Sequence, residues 1–536
     1  MPVFGRTSKR FSLWFLNFAQ FGAVVNDNIY KLVMVFILIE AYGSASASNI
    51  LSLAGAIFVI PFLLFSSAAG ILADRYSKKW ILSIMKMFEV AIFAAALLAV
   101  ESRNPYALYF LLFCLAIHSA AFGPSKYSII PELVPGEKVP KANGLITSCT
   151  YLGIILGTFL ASFLTEFTNC VYTHVIYFCL LLAVFGLLNA LCIPKTPKQG
   201  SSRKIRLFFL KEIFHTLRFC APQPHLLLVL FSSSFFLFIG AFTQLNIIPY
   251  SLQGLHLSEI YGGYLFLCCA LGIAVGSFIV GRFLKKHIAL WVPCAAGLAL
   301  SFFFFALSLF ANHLPTVLAL LFLLGVAGGM FIVPLDSFVQ LACSNETRGS
   351  VIAAGNFLGF CGVLLASLFL FFMSSVFRLS AMGGFGVMSL LTLLYALLLF
   401  FRLSDFTLPL LVKTIIRPSF TFELSDLTLL EPDSHVPLVI REGRLRHCLL
   451  LMAIVPHYRF VFVDQKKNFQ TWLLNLFASF SSPAHPDELM KSGKALCFVL
   501  PHKWDPTFLR GRYAQVEITD PEKPQDPFHV GFIIKK

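Results

Sequence analysis

Apolar residues in this chain run in long blocks, separated by short polar breaks. A helix needs about 20 consecutive apolar residues to cross the hydrocarbon core of a bilayer. Twelve blocks reach that length, over residues 12–40, 48–73, 80–100, 105–130, 143–165, 171–193, 225–250, 260–282, 288–311, 315–341, 350–374 and 382–402. The breaks alternate in charge. One set holds Arg6, Lys9 and Arg10, then Arg75, Lys78 and Lys79, then Lys138 and Lys141, the 195–218 stretch, Arg282, Lys285 and Lys286, and last Arg348 and Arg402. The other set, "AYGSASAS", "ESRNP", "TEFTN", "QGLHLSE", "NHLP" and "FRLSAMGG", holds only Arg103 and Arg378. Basic loops stay cytoplasmic, so both ends and the 194–224 loop are expected inside the cell. An odd number of spans would break this alternation. The pattern predicts an all-α membrane protein of twelve transmembrane helices. Two six-helix halves, 1–193 and 225–402, are joined by a basic cytoplasmic linker, 194–224, and followed by a separate region, 403–536.

Composition agrees. Of 536 residues, 58% are hydrophobic and 12% charged, with 60 Phe; soluble domains carry about 25% charge. The net charge of +15 then reflects basic loops held against anionic lipid, and no dense basic and aromatic patch points to nucleic acid. The 13 cysteines are scattered, without Cys-x-x-Cys or zinc spacing, and read as reduced, buried hydrophobes. The start, "RTSKRFSLWF", resembles a signal-peptide n-region and "SASAS" a cleavage site. The apolar stretch between them is too long, and too polar at Asn26, Asp27 and Asn28, for a cleaved leader. A retained first helix is expected.

Asp27 is the chemical puzzle, because a charge at mid-membrane costs about 2.5–3.5 kcal/mol unless it faces protein or water. It has two readings, a cation site or an internal pair with Lys31 one turn on. Arg203 to Phe219 alternates basic and apolar groups at helical spacing, which suits either a helix on the inner membrane surface or a solvated linker. The halves echo each other: "YLGIILGTFLASF" from Tyr151 is similar to "FLGFCGVLLASLF" from Phe357, and "GPSKYSIIPEL" from Gly123 is matched by "GGMFIVPLDSF" from Gly328. Two six-helix repeats around a central site are a transporter architecture.

"GILADRYSKKWIL", Gly70 to Leu82, sits between spans two and three. It resembles the loop signature of the major facilitator superfamily, Gly-x-x-x-Asp-Arg-x-x-Arg/Lys-Lys, and that resemblance implies the superfamily's fold. Gly70 allows close helix approach. Asp74, with Arg75, Lys78 and Lys79, forms a conformational latch that meets basic residues and a helix N-terminus. The second-half counterpart, "GSFIVGRFLKK" from Gly276, lacks the acid. A narrower resemblance rests on "AFGPSKYSIIPELVPGEKVPKANGL", Ala121 to Leu145. It is similar to the lysophospholipid-transporter branch, where Pro-Ala-Lys-Tyr-Gly-Ile-Leu precedes Leu-x-Lys-Ala-Asn-Gly-Leu. Pro124, Lys126, Tyr127 and Ile129 match the first segment; Lys141, Ala142, Asn143 and Gly144 match the second. The branch's Phe-Gly-Asp-Asn motif survives as "VNDNIYK", with Asn26 in place of Gly, and its Pro-Leu-Asn segment as Pro334, Leu335 and Asp336.

The resemblance covers roughly residues 12 to 402. It implies a secondary transporter that flips lysophospholipids, such as lysophosphatidylethanolamine, across a bacterial inner membrane by alternating access. No cofactor is implied beyond a coupling cation, sodium or proton. The partners implied are the lysophospholipid, membrane lipids, and an acyltransferase or acyl-carrier ligase. Candidate substrate or ion ligands are Asp27, Asn28, Lys126, Tyr127 and Asn143. Lys126 would hold the phosphate as a point charge or snorkel to the interface. Asp27 would take the coupling cation or the headgroup ammonium. Asp336 is a second polar centre or a span-end residue in water. The alternatives are a facilitator of another amphiphile or drug, and a membrane-anchored acyltransferase.

After about residue 405 acids, Pro and His appear. "VPLVI", "YRFVFVD" and "KALCFVLP" read as strands and "FQTWLLNLFASF" as a helix, giving a small cytoplasmic α/β domain over 403–536. It resembles part of a glycerolipid acyltransferase. There a His-x-x-x-x-Asp pair supplies the general base. The aligned positions here are Glu442 and His447, and the later Phe-Pro-Glu-Gly-type loop keeps only Pro501. A degenerate domain with no catalytic residues is expected, and no metal.

Overall fold

The structure is a computed structural model. It describes residues 3–43, 46–198, 200–201, 209–223, 225–257, 259–284 and 289–411, together with Leu451 and the strand residues named below. The helices in chain order are α1 (Val3–Tyr42), α2 (Ala47–Arg75), α3 (Lys78–Glu101), α4 (Pro105–Ser128), the single turn α5 (Ile130–Leu133), α6 (Val139–Phe167), α7 (Tyr172–Cys192), α8 (Phe209–Cys220), α9 (Leu226–Gln253), α10 (Glu259–Phe283), α11 (Trp291–Leu309), α12 (Leu314–Ala342), α13 (Arg348–Phe371), α14 (Ala381–Arg402) and α15 (Ser404–Leu411). Twelve of them are long and apolar enough to cross a membrane, and each falls on one expected block. Their ends follow local chemistry. Asn104, for example, caps α4 by accepting from the amides of Tyr106 (2.9 Å) and Ala107 (3.3 Å), with Pro105 as the first helical residue.

The chain divides into two compact units, Met1–Leu393 and Leu394–Lys536. In the first, α6 packs on α1 within its half and on α10 across to the other; α13 packs on α9 within its half and on α2 across. The two segments that echo each other in sequence thus occupy equivalent places. Side chains facing lipid are large and apolar, among them Phe110, Leu181, Phe302 and Leu390, as a hydrocarbon solvent requires. The helix expected over Arg203–Phe219 is α8, and 202–208 lie outside the described residues. α8 packs against α2, α9 and α13, burying Ile213, Thr216 and Cys220 while Leu210 and Phe214 stay exposed.

In the second unit, β1 (Phe422–Leu424), β2 (Leu438–Arg441), β3 (Arg459–Phe462), β4 (Phe480–Ser481), β5 (Leu496–Leu500), β6 (Tyr513–Thr519) and β7 (Phe528–Lys535) form a seven-stranded sheet ordered β1-β7-β6-β2-β5-β3-β4. Among the described residues only β6 and β7 pair antiparallel, Tyr513 opposite Lys535. The central strand, β2, buries Leu438, Val439 and Ile440 in succession, as a strand covered on both faces must. The three expected strands are β2, β3 and β5. The expected helix "FQTWLLNLFASF" ends differently: Phe480 opens β4, because it pairs with Phe460 of β3. The rest of that segment lies outside the described residues, as do Glu442, His447 and Pro501.

Candidate functional site

The two halves close on each other at the end of the bundle that carries the basic loops. Gly70 of α2 lies against α13, where a Cβ would come within 2.6 Å of the Ala353 Cβ and 2.8 Å of the Gly349 carbonyl oxygen. Gly144 of α6 lies against α10 in the same way, 2.5 Å from the Ser277 oxygen and 2.9 Å from the Gly281 Cα. Small residues let backbones meet at these distances. Beside Gly70, the buried Asp74 carboxylate accepts from the amides of Gly349 (2.6 Å) and Ser350 (2.8 Å) and from the Ser350 hydroxyl (2.5 Å). These amides open α13, so the acid meets the positive end of a helix. Arg75 and Lys79 do not join the latch. Arg75 is exposed and stacks on Tyr76, and Lys79 lies over Trp80. Lys78 is buried and pairs with Glu132 at 2.6 Å.

A second lock joins α6 to α12. Asn143, fully buried, donates to Ser337 Oγ (3.0 Å) and Gln340 Oε1 (3.1 Å) and accepts from Gln340 Nε2 (2.9 Å). Its amide is saturated by the opposite half, so Asn143 holds the closed end.

Above this floor the halves part. A cavity of about 240 Å³ is lined by Tyr127, Thr150, Tyr151, Phe236, Asp336, Gln340 and Asn356, among others. A larger one, about 760 Å³, lies toward the opposite end, within the range of roughly 300–1,000 Å³ typical of ligand sites. Asn28, Lys31, Glu166 and Gln244 supply its polar wall; Leu32, Val35, Phe159, Phe163, Phe266 and Leu267 supply the apolar one. Ile154 lines both cavities. Both cavities are lined by polar and apolar groups together.

Lys126, in the last turn of α4, lines neither cavity; its neighbour Tyr127 lines the smaller one. The lysine is 8% exposed, so its ammonium stays inside the protein. The Nζ donates weakly to Gln20 Oε1 at 3.4 Å and lies 4.5 Å from the centre of the Tyr127 ring. It feels the charges of both Asp27 and Asp336 but forms no ion pair among the described residues. Asp336 is half-buried and lines the cavity, a polar centre of the cleft.

Asp27 is half-buried and lines neither cavity. Its Oδ2 accepts from Ser119 Oγ at 2.6 Å, while Oδ1 is buried with no hydrogen-bond partner among the described residues. The pair with Lys31 is not formed: the Lys31 ammonium sits 5.8 Å from the Phe58 ring centre, because it turns into the larger cavity. Asn28 donates to the Val24 carbonyl of its own helix, 2.8 Å, and lines that cavity. Reading from sequence missed a charged cluster of Lys86, Glu89 and His118 behind Asp27, all fully buried. An acid and a base three residues apart inside a predicted span were the available signal.

The chain was compared with known families and structures. Residues 16–367 match the family model of the Major Facilitator Superfamily. Over 342 residues the chain is 26% identical to the lysophospholipid transporter LplT of Yersinia pestis (strain Pestoides F), covering 63% of this chain and 79% of the relative. The figures are the same for LplT of Yersinia pseudotuberculosis serotype O:3 (strain YPIII). Among solved structures, the human organic anion transporter MFSD10 (TETRAN) superposes with a TM-score of 0.61 at 18% identity, covering 73% of this chain and 99% of that one. FucP, a Major Facilitator Superfamily transporter in the outward conformation, gives 0.59 at 14% identity with the same coverage. The twelve spans, the Gly70–Asp74 latch between halves and the family match agree: the chain belongs to the Major Facilitator Superfamily and is a multi-pass membrane transporter similar to the lysophospholipid-transporter branch.

Proposed function

We propose that this transporter moves lysophospholipids across a bacterial inner membrane by alternating access, from the outer to the inner leaflet. Both termini then lie in the cytoplasm, and the closed, basic end faces inward. The observation that carries this reading is the buried ammonium of Lys126, which makes no ion pair among the described residues and lies against Tyr127 of the smaller cavity's wall, with a larger cavity beyond that is lined in part by phenyl and leucine groups. A lysophospholipid has matching parts, a phosphate and a single acyl chain. Lys126 takes the phosphate as a point charge, with the Tyr127 hydroxyl beside it. Asp336 or Asp27 takes the ethanolamine ammonium, or Asp27 a coupling cation, sodium or proton. The larger cavity houses the chain. Asn28 contributes an amide to the cleft wall, and Asn143 gates rather than binds. The names of the Yersinia relatives support the substrate class. Lipid delivered inward is material for an acyltransferase or acyl-carrier ligase.

The experiment is uptake of labelled lysophosphatidylethanolamine into proteoliposomes. Lys126→Ala removes a hydrogen-bonding charge in a desolvated site, worth about 1.5–3 kcal/mol, so uptake falls about tenfold or more. Lys126→Arg retains part of it. Unchanged uptake in Lys126→Ala removes the headgroup assignment. A headgroup series in the same vesicles separates this substrate class from other amphiphiles.

A further inference from the structure

We propose that the cluster of Lys86, Glu89 and His118 inside the N-terminal half is a proton-binding site, coupled to the cleft through Asp27. The coupling rests on the transporter reading above; the proton site rests on packing alone.

The Lys86 ammonium lies 2.6 Å from Glu89 Oε2, and both side chains are 0% exposed. Glu89 Oε1 accepts from Asn26 Nδ2 at 2.9 Å, and that amide also donates to the Cys179 carbonyl at 3.1 Å. α7 leaves room for the ammonium at Gly186, where a Cβ would lie 2.9 Å from Lys86 Nζ. His118, also 0% exposed, places Nε2 3.6 Å from Glu89 Oε2. Neither of its ring nitrogens has a hydrogen-bond partner among the described residues. A neutral imidazole brings one N–H and one lone pair, and here both are buried and idle. Such groups call for a reason. A proton supplies one: the imidazolium has two N–H groups, and a shift of about 0.6 Å brings Nε2–H into hydrogen-bonding range of Glu89.

The site suits a proton and not a metal cation. Both Glu89 oxygens are already engaged, an ammonium stands beside them, and hard cations need about six oxygen ligands. The charged groups facing His118 are Glu89 and Lys86 from α3; Asp27 and Lys31 of α1 lie beyond Asn26 and Ser119, and Lys126 lies further along α4. α2 and α13, which also pack on α4, bring charges only at the basic end, Asp74, Arg75 and Arg348. The Lys86 and Glu89 charges cancel. A proton on His118 therefore leaves one positive charge in a low-dielectric interior. A phosphate arriving at Lys126 offsets it, so proton and headgroup favour each other's binding.

Two routes, each a hydrogen bond and a chain neighbour, tie the cluster to Asp27, and the next residue, Asn28, lines the larger cavity. Asn26 reaches Glu89, and its neighbour Asp27 accepts from Ser119, the neighbour of His118. Drawing His118 toward Glu89 moves α4 at the residue that holds Asp27.

The test has two arms. Solid-state NMR of ¹⁵N-histidine-labelled protein in bilayers should show one imidazole, absent in His118→Gln, that converts from neutral to doubly protonated between about pH 8 and pH 4. An imidazole unchanged over that range overturns the proton site. In proteoliposomes, an inward proton gradient should raise wild-type uptake of lysophosphatidylethanolamine about fivefold and acidify an entrapped dye. His118→Gln should lose both effects and keep gradient-free exchange, which also shows that it folds. A titrating imidazole with lipid uptake indifferent to the gradient overturns the coupling. If no variant moves lipid, the transporter reading and the coupling fall together, and the NMR arm alone decides the proton site.

Discussion

The Asp74 carboxylate joins the two halves by three hydrogen bonds to the first turn of α13. Each bond to a charged group contributes about 1.5–3 kcal/mol, and a change of 1.4 kcal/mol is about tenfold in population. Asp74→Ala should therefore raise the population open at the basic end at least about tenfold. Spin labels at the exposed Tyr76 and Asn345 would report this as a new, longer distance. An unchanged distribution would mean that the glycine contacts alone hold the end shut. Lys86 and Glu89 act within one half. Glu89→Gln should strand the buried ammonium at a cost of about 3–5 kcal/mol, read as a lower unfolding temperature in detergent. Lys78 makes a contact that the motif does not name. Its place in the signature suggested a latch with Asp74; its ion pair is with Glu132 of its own half, on the single turn α5.

Between elements, the tightest seam runs along α10 and α12. A Cβ on Gly272, Gly276, Gly325 or Gly329 would strike the facing backbone at Phe322, Val326, Cys269 or Ile273. Gly276→Leu or Gly325→Leu should destabilise the fold by at least about 1–3 kcal/mol, the usual cost of overpacking, visible as a drop in thermal stability. Gly240→Ala and Gly263→Ala meet nothing within 4 Å and should be neutral or slightly stabilising. Gly276 appeared in the sequence as the head of a second latch motif lacking its acid. In the structure it belongs to this seam, and Gly281, further along the same motif, meets Gly144 at the closed end. The second motif lacks the acid, and its glycines serve packing.

At the scale of the first unit, closure at one end and a cleft toward the other are what the proposed alternating access requires of one of its states. Wedges at the closed end should favour the other state. Gly70→Leu and Gly144→Leu each place a side chain where a single Cβ already collides with the opposite half. Both should lengthen the Tyr76–Asn345 distance and lower uptake without removing the spans. Wild-type distances in both would show that the halves have another way to accommodate the side chain.

The twelve spans, their six-and-six division and the family were legible because lipid makes hydropathy a local property: each block of about 20 apolar residues reports its own environment, whatever its neighbours. The motif around Gly70 and Asp74 pointed to residues that meet the opposite half. Tertiary structure alone decided that Asn143 locks onto Ser337 and Gln340, that Lys31 turns away from Asp27, and that Asn26, Glu89, Lys86 and His118 converge. Those contacts join residues as much as 197 positions apart. Which face of an apolar helix meets protein is set by its neighbours, and no periodicity within one helix records it.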